Sequence, residues 1–133
     1  MLNSNKFGLL KLQRIWTNPS PYDNYGANTI TIPETDSDYL VVLFNDRGNK
    51  NEASIKTVLV PYEAGQKSIA ESIRQNGDAA YHAESWSRVV QVVSKTQLSF
   101  TQAQYCQNYS STAVGIDSLM IPYQVLGLKL GGS

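Results

Sequence analysis

His82 and Glu84 stand two residues apart in "AAYHAESW", and in an extended strand that spacing puts them on one face. A histidine oriented by a carboxylate is half of a general-base device. The other half is a nucleophile, and Tyr81, Ser85 and Ser87 are the nearby hydroxyls. Nothing in the spacing selects one of them, so the reading kept is an exposed loop histidine. Glu34, Asp36 and Asp38 in "ETDSD" gather oxygen ligands of the kind calcium takes. They could equally serve two-carboxylate glycoside chemistry. The preferred reading is turn chemistry, because Asp and Ser side chains bond their own backbone in such stretches. Cys106 is the sole cysteine, so no disulfide closes within the chain. It reads as a small, semi-buried residue near a strand end.

The remaining catalytic patterns are absent. No phosphate-binding loop, no Gly-x-Ser-x-Gly elbow and no Cys/His zinc spacing occurs. No catalytic residue, metal ligand or cofactor is assigned, and the chain is expected not to be an enzyme.

Aromatic residues carry more signal, with eight Tyr, three Phe and two Trp. Tyr22 and Tyr25 follow the prolines of "IWTNPSPYDNYGANTITI", and Tyr105 and Tyr109 lie in "QYCQNYSST". Rings set among Asn, Gln and Ser suit sugar or protein docking, since the ring stacks while its hydroxyl stays wet. These four tyrosines are the candidate binding residues. Trp16 either plugs the end of a core or joins that surface. Pro19 and Pro21 stiffen the loop behind it, which gives the indole a defined place to pack and favours the plug. Trp86, at the start of an apolar run, is read the same way.

Those residues need a scaffold, and the composition describes one. Hydrophobic residues make up 41% of the 133-residue chain and charged residues 17%, as in a globular domain with an uncharged polar surface. Lys plus Arg and Asp plus Glu number 11 each, and no basic cluster forms, so nucleic acid is not an expected partner. "MLNSNKFGLLKLQRIW" has no apolar core of signal-peptide length, and no stretch is long enough for a membrane helix. Synthesis in a cytoplasm and no membrane insertion are expected.

The apolar runs are short, β-branched and separated by turn signals. "KLQRIW", "NTITI", "YLVVLF", "SIKTVLV", "SRVVQVV", "QLSFT" and "MIPYQVLGLKL" read as strands. Ile30 and Ile32 should share a buried face. "YLVVLF" is continuously apolar, as for a central strand covered on both faces. "SKT" is close to hairpin length. Pro122 lacks a ladder donor, so its strand should enter at an edge or begin pairing after the proline. "SIAESIRQNG" is ambiguous: Ser68 and Glu71 suggest a helix cap, while the neighbouring strand spacing favours a hairpin with Asn76-Gly77 at its tip. The hairpin is preferred. The expected architecture is a single all-β domain over 1–133, an antiparallel β-sandwich or jelly-roll-like barrel. It has seven to nine strands and at most one short helix.

Six elements in order also bear a resemblance. They are Ile15-Trp16-Thr17-Asn18-Pro19-Ser20-Pro21, Asn28-Thr29-Ile30, Asp38-Tyr39-Leu40-Val41-Val42, Leu59-Val60-Pro61, Arg88 through Phe100, and Ile121-Pro122-Tyr123-Gln124-Val125-Leu126-Gly127-Leu128-Lys129. This order, over about residues 9–130, resembles the C-terminal-type β domain of tail, fibre and baseplate structural proteins of phages infecting Gram-positive bacteria. The polar loop 45–54 and the segment 64–86 are longer than that pattern. The resemblance implies a virion structural protein that docks to other virion proteins or contributes to host-receptor attachment. Its expected partners are those proteins, further copies of itself with a trimer favoured, and a host cell-surface glycan. A freestanding carbohydrate-binding module is the alternative, and a small hydrolase a third class.

Overall fold

The computed structural model describes residues 10–48, 50, 54–76, 82–107 and 112–131. Ten strands follow one another: β1 (Leu10–Thr17), β2 (Asn28–Thr31), β3 (Tyr39–Asn45), β4 (Ile55–Pro61), β5 (Lys67–Asn76), β6 (His82–Ser94), β7 (Gln97–Phe100), β8 (Ala103–Gln107), β9 (Val114–Ile116) and β10 (Ile121–Leu130). No helix occurs among the described residues. The all-β antiparallel expectation stands. The strand count exceeds seven to nine because "QYCQNYSST" and the stretch after it, read as loop, contribute β8 and β9.

Two antiparallel sheets form the body. The first has the order β1-β10-β3-β4. The second has the order β2-β7-β6-β8-β9, with β5 on the other side of β6. The 13-residue β6 makes this arrangement possible. Its first half pairs with β8, its second half with β7, and β5 runs along its opposite side. The Ser68 hydroxyl donates to the Leu59 carbonyl at 2.6 Å, so the sheets curl toward each other where β5 approaches β4. The segment 68–77 is thus the hairpin arm through Asn76. Glu71 points out on the exposed face that Ile69 and Ile73 share, a pattern a strand tolerates and a helix core would not. Gly77 at the expected tip lies outside the described residues.

The core lies between the sheets. Leu40, Val42, Phe44, Val60 and Val125 from the first sheet meet Ile30, Trp86, Val90, Val92, Leu98 and Phe100 from the second. Phe100 is its aromatic centre. Phe44 and Tyr25 approach it edge-on, with centroids at 6.0 and 5.8 Å, and Trp16 lies tilted at 6.2 Å. Trp16 is therefore a half-buried rim plug and Trp86 a buried one. Ile30 and Ile32 are both buried, as their alternation requires.

Pro122 corrects an expectation. β10 is central, between β1 and β3, and it pairs from Ile121 onward, with Pro122 opposite Phe44. The missing donor is absorbed because a register shift falls between Pro122 and Gln124, the irregularity at which a sheet accepts proline. A second correction concerns β3. Leu40, Val42 and Phe44 are fully buried, but Tyr39, Val41 and Leu43 on its other face are only half-buried. The continuous apolar run is fully buried on one side alone.

Candidate interaction surfaces

Alternation along the first sheet decides what its outer face presents. Leu10 and Leu12 on β1 pair with Leu130 and Leu128 on β10, and Leu126 and Leu128 pair with Val41 and Tyr39 on β3. Val41 in turn pairs with Leu59 on β4. Directly paired residues of antiparallel strands share a face, so these side chains form one apolar field. Leu10 is 60% and Leu12 61% exposed, and Ile55, Leu59 and Leu130 are close to half exposed. Arg14, Thr57 and Gln124 supply the polar groups of the same face. An exposed leucine alone means little, but a contiguous apolar sheet face is a recognised mark of an interaction site.

The second sheet faces outward differently. Thr29, Thr31, Ser85, Ser87, Ser99 and Gln104 occupy its outward positions, with Ile69, Ile73 and Val93 scattered among them. A shallow groove of about 260 Å³ runs there between Glu71, Ile73, Ser85, Gln104 and Cys106. Cys106 is half-buried in β8, as expected. Ser85 and Ser87 open to this outer side. Glu84 lies on the opposite side of β6, where it accepts a hydrogen bond from the Tyr105 hydroxyl at 2.9 Å and faces Arg74 at 3.6 Å. Adjacent strand residues point to opposite faces, so Glu84 is not placed to assist either serine. Tyr81 and the His82 side chain lie outside the described residues.

Around Trp86 the groups are committed to one another. The indole Nε1 donates to the Asp46 carboxylate at 2.9 Å, and the Ser72 hydroxyl donates to the same oxygen at 2.6 Å. The Arg47 guanidinium lies 5.6 Å from the ring centroid. With Ser54 and Arg74 these residues line an open cleft of about 440 Å³. The indole is 96% covered, which leaves no open ring face for a sugar to stack on.

The candidate tyrosines separate. Tyr22 is exposed in the loop between β1 and β2. Tyr25, three residues on, is instead packed on the core, with one edge contact to Phe100 and the Arg88 guanidinium 5.5 Å from its centroid. Burial raises its hydroxyl pKa, with Asn28 and Arg88 working against that rise. Tyr105 is a strand residue packed against the core rather than a loop residue. Desolvation, then its bond to Glu84 and that carboxylate's charge, raises its pKa. Tyr109 lies outside the described residues. Of the three described, Tyr22 keeps the open position the docking reading needs.

The residue that the site reasoning passed over is Arg88. It is 1% exposed, yet it makes no ion pair at salt-bridge distance among the described residues. Its Nε donates to the Met120 carbonyl at 2.7 Å, one terminal nitrogen to Thr101 O at 2.7 Å, and the other to Leu119 O at 3.1 Å. Desolvation pulls its pKa down to about 10, against the favourable charge of Tyr25 and Asp117. With a longer contact to Gly26 O at 3.5 Å, one guanidinium ties three loops to β6. Met120 holds a left-handed φ of 50° inside this clasp, its N–H donating to Asp46 O and its side chain fully buried. Asn18 anchors the opening loop beside it. Its side chain donates to Pro122 O at 2.8 Å and accepts from Ser20 N at 2.8 Å. The signal was present in "NPSP" and in an arginine at an inward strand position. Neither indicates which carbonyls will gather around it.

In "ETDSD" the local bond to backbone comes from Thr35, whose hydroxyl oxygen accepts from the Ser37 N–H at 3.3 Å, rather than from the Asp or Ser side chains expected to do so. Thr35 and Ser37 share a hydroxyl contact at 2.7 Å, and Asp38 accepts from the Leu130 N–H at 2.9 Å and faces Lys129 at 3.7 Å. No group of three or more His, Cys, Asp or Glu residues able to hold a metal occurs among the described residues. No family model, no curated protein and no solved structure matches this chain.

Proposed function

We propose that this chain is a structural protein of a phage virion, a tail, fibre or baseplate module that docks to other proteins of the particle or contributes to host attachment. The observation that carries the docking half is the uncovered outer face of the β1-β10-β3-β4 sheet, with Leu10, Leu12, Leu59 and Leu130 about half exposed or more. A face of that kind is soluble at a cost and is commonly buried by assembly. The order of the six sequence elements supports the virion half. Exposed Tyr22 supports a receptor-facing role for the opening loop, since an open phenol ring stacks on a sugar or a protein face.

Quantitative mass spectrometry of purified particles from the source that encodes the chain tests this reading. The expected result is a fixed copy number per particle. Particles that lack the chain would end the virion reading. Tyr22→Ser should lower adsorption to host cells while leaving incorporation unchanged.

A further inference from the structure

We propose that the outer face of the four-stranded sheet packs on the same face of a second copy of this chain, as a two-fold pair. The inference rests on reading that face as an assembly surface and names its occupant. Four strands about 4.8 Å apart, each about seven residues long at about 3.3 Å per residue, give a patch on the order of 20 by 23 Å. That is about 460 Å², in the middle of the roughly 300–600 Å² that the largest apolar patch of a typical monomer reaches. Burying it on two copies removes roughly 900 Å² of surface, the size of weak, reversible associations, so the pair should form only at high concentration.

The chemistry of the face selects its partner. Arg14 is its one charged residue among the described positions that pair across β1, β10, β3 and β4 outward, and Asp38, at the end of the sheet beside Leu130, is paired with Lys129. A foreign partner is chosen by complementary charge and by penalties against the wrong surface, and this face offers little for either. What fits it is another flat apolar sheet about 10 Å away, with ridges of leucine entering its grooves. Every further copy of the chain brings that surface. With a formal net charge of zero, no long-range repulsion keeps copies apart.

The symmetry follows from the surface. Like against like is an isologous contact, and it closes at two. A threefold ring needs two different surfaces that match each other. The outward side of the second sheet, with Thr29, Thr31, Ser85 and Ser99, does not match a leucine field.

Analytical ultracentrifugation of the full chain from micromolar to submillimolar concentration tests the pair. The expected result is a monomer–dimer equilibrium that Leu12→Glu and Leu59→Glu each weaken by roughly tenfold or more, since each leaves a charge in a desolvated contact. Thr57→Arg, at a position already polar and exposed, should do the same without endangering the fold, checked by circular dichroism. Ile73→Glu, on the second sheet and 80% exposed, should leave the dimer intact. A monomer at every concentration, a trimer, or a dimer that survives all three charged variants would overturn the proposal. A monomeric chain still found in particles overturns self-pairing and leaves docking to other virion proteins standing. A dimeric chain absent from particles does the reverse.

Discussion

The Arg88 clasp and the leucine face of the first sheet break the usual rule in opposite directions. At the clasp a charge is buried: Arg88 is 1% exposed. At the sheet face leucine is exposed: Leu12 is 61% exposed. The difference is where each finds its complement. The guanidinium is satisfied within the chain, by carbonyls of Thr101, Leu119 and Met120. The leucines have no such complement among the described residues and stay about half exposed or more. A buried cation with its acceptors in place is a folding device. An exposed apolar field is the feature on which the proposed docking rests. The two regions therefore predict two kinds of damage, loss of the folded chain in one and loss of association in the other.

Arg88→Met should be the most destructive change. It keeps the side chain's length but orphans several buried carbonyls, at about 3–5 kcal/mol of unfolding free energy. Urea unfolding monitored by Trp fluorescence measures it. A loss below about 1 kcal/mol would mean that the loops hold themselves and that the comparison fails at its first term.

Gly48→Ala sharpens the same region. Gly48 has a φ of +72°, and a β-carbon there would lie 1.9 Å from the Ser118 carbonyl oxygen, two residues before Met120. Both the backbone conformation and the close approach exclude a side chain. The expected cost is about 2–3 kcal/mol, more than the strain of the φ alone, and thermal unfolding reads it.

Leu59→Glu tests the other region and should barely touch folding. Measured at concentrations where the chain is monomeric, its unfolding free energy should lie within about 0.5 kcal/mol of the parent, as for surface positions generally. A loss of about 2 kcal/mol or more would show that the leucine is held within the chain after all, which would erase the contrast.

Tyr25→Phe should give the smallest change at neutral pH, because the Asn28 contact it loses is long, at 3.3 Å, and exposed. Its effect is in the alkaline limb. Burial raises the Tyr25 pKa above its ordinary value of 10.0. The unfolded chain then releases this proton first, so the stabilisation is fully present below pH 10 and is lost as pH rises through the folded pKa. The Phe variant should show a shallower fall of melting temperature above pH 10. An unchanged slope would place the alkaline sensitivity elsewhere.

Much of the fold was legible because it depends on period. "NTITI" alternates, and Ile30 and Ile32 are buried. "SKT" was short enough to force a hairpin, and β6 and β7 meet across Lys95 and Thr96. β8 and β9 were not legible, because "AQYCQ" and "VGI" carry too few apolar residues for a period to register. Their strand character comes from pairing with β6 and with each other. The tyrosines failed for a related reason. Polar neighbours marked Tyr25 and Tyr105 as surface residues, but whether a ring points to solvent depends on what stands opposite it. Opposite Tyr25 stands Phe100, and beside Tyr105 stands Glu84.

By itself the sequence determined the β class, the proline-bearing opening loop, the buried alternation of "NTITI" and the presence of an apolar run at 39–44. These are local properties, set by backbone sterics, side-chain hydrogen bonds to nearby backbone, and alternation. Only the tertiary structure decided that β10 is central, that Arg88 gathers carbonyls from three loops, and that Tyr39, Val41 and Leu43 face outward with the leucines of β1 and β10. A continuous apolar strand reads the same whether its second face is covered by its own chain or left for another. The distinction rests on which strands become neighbours, and that is settled by long-range pairing that no local window contains.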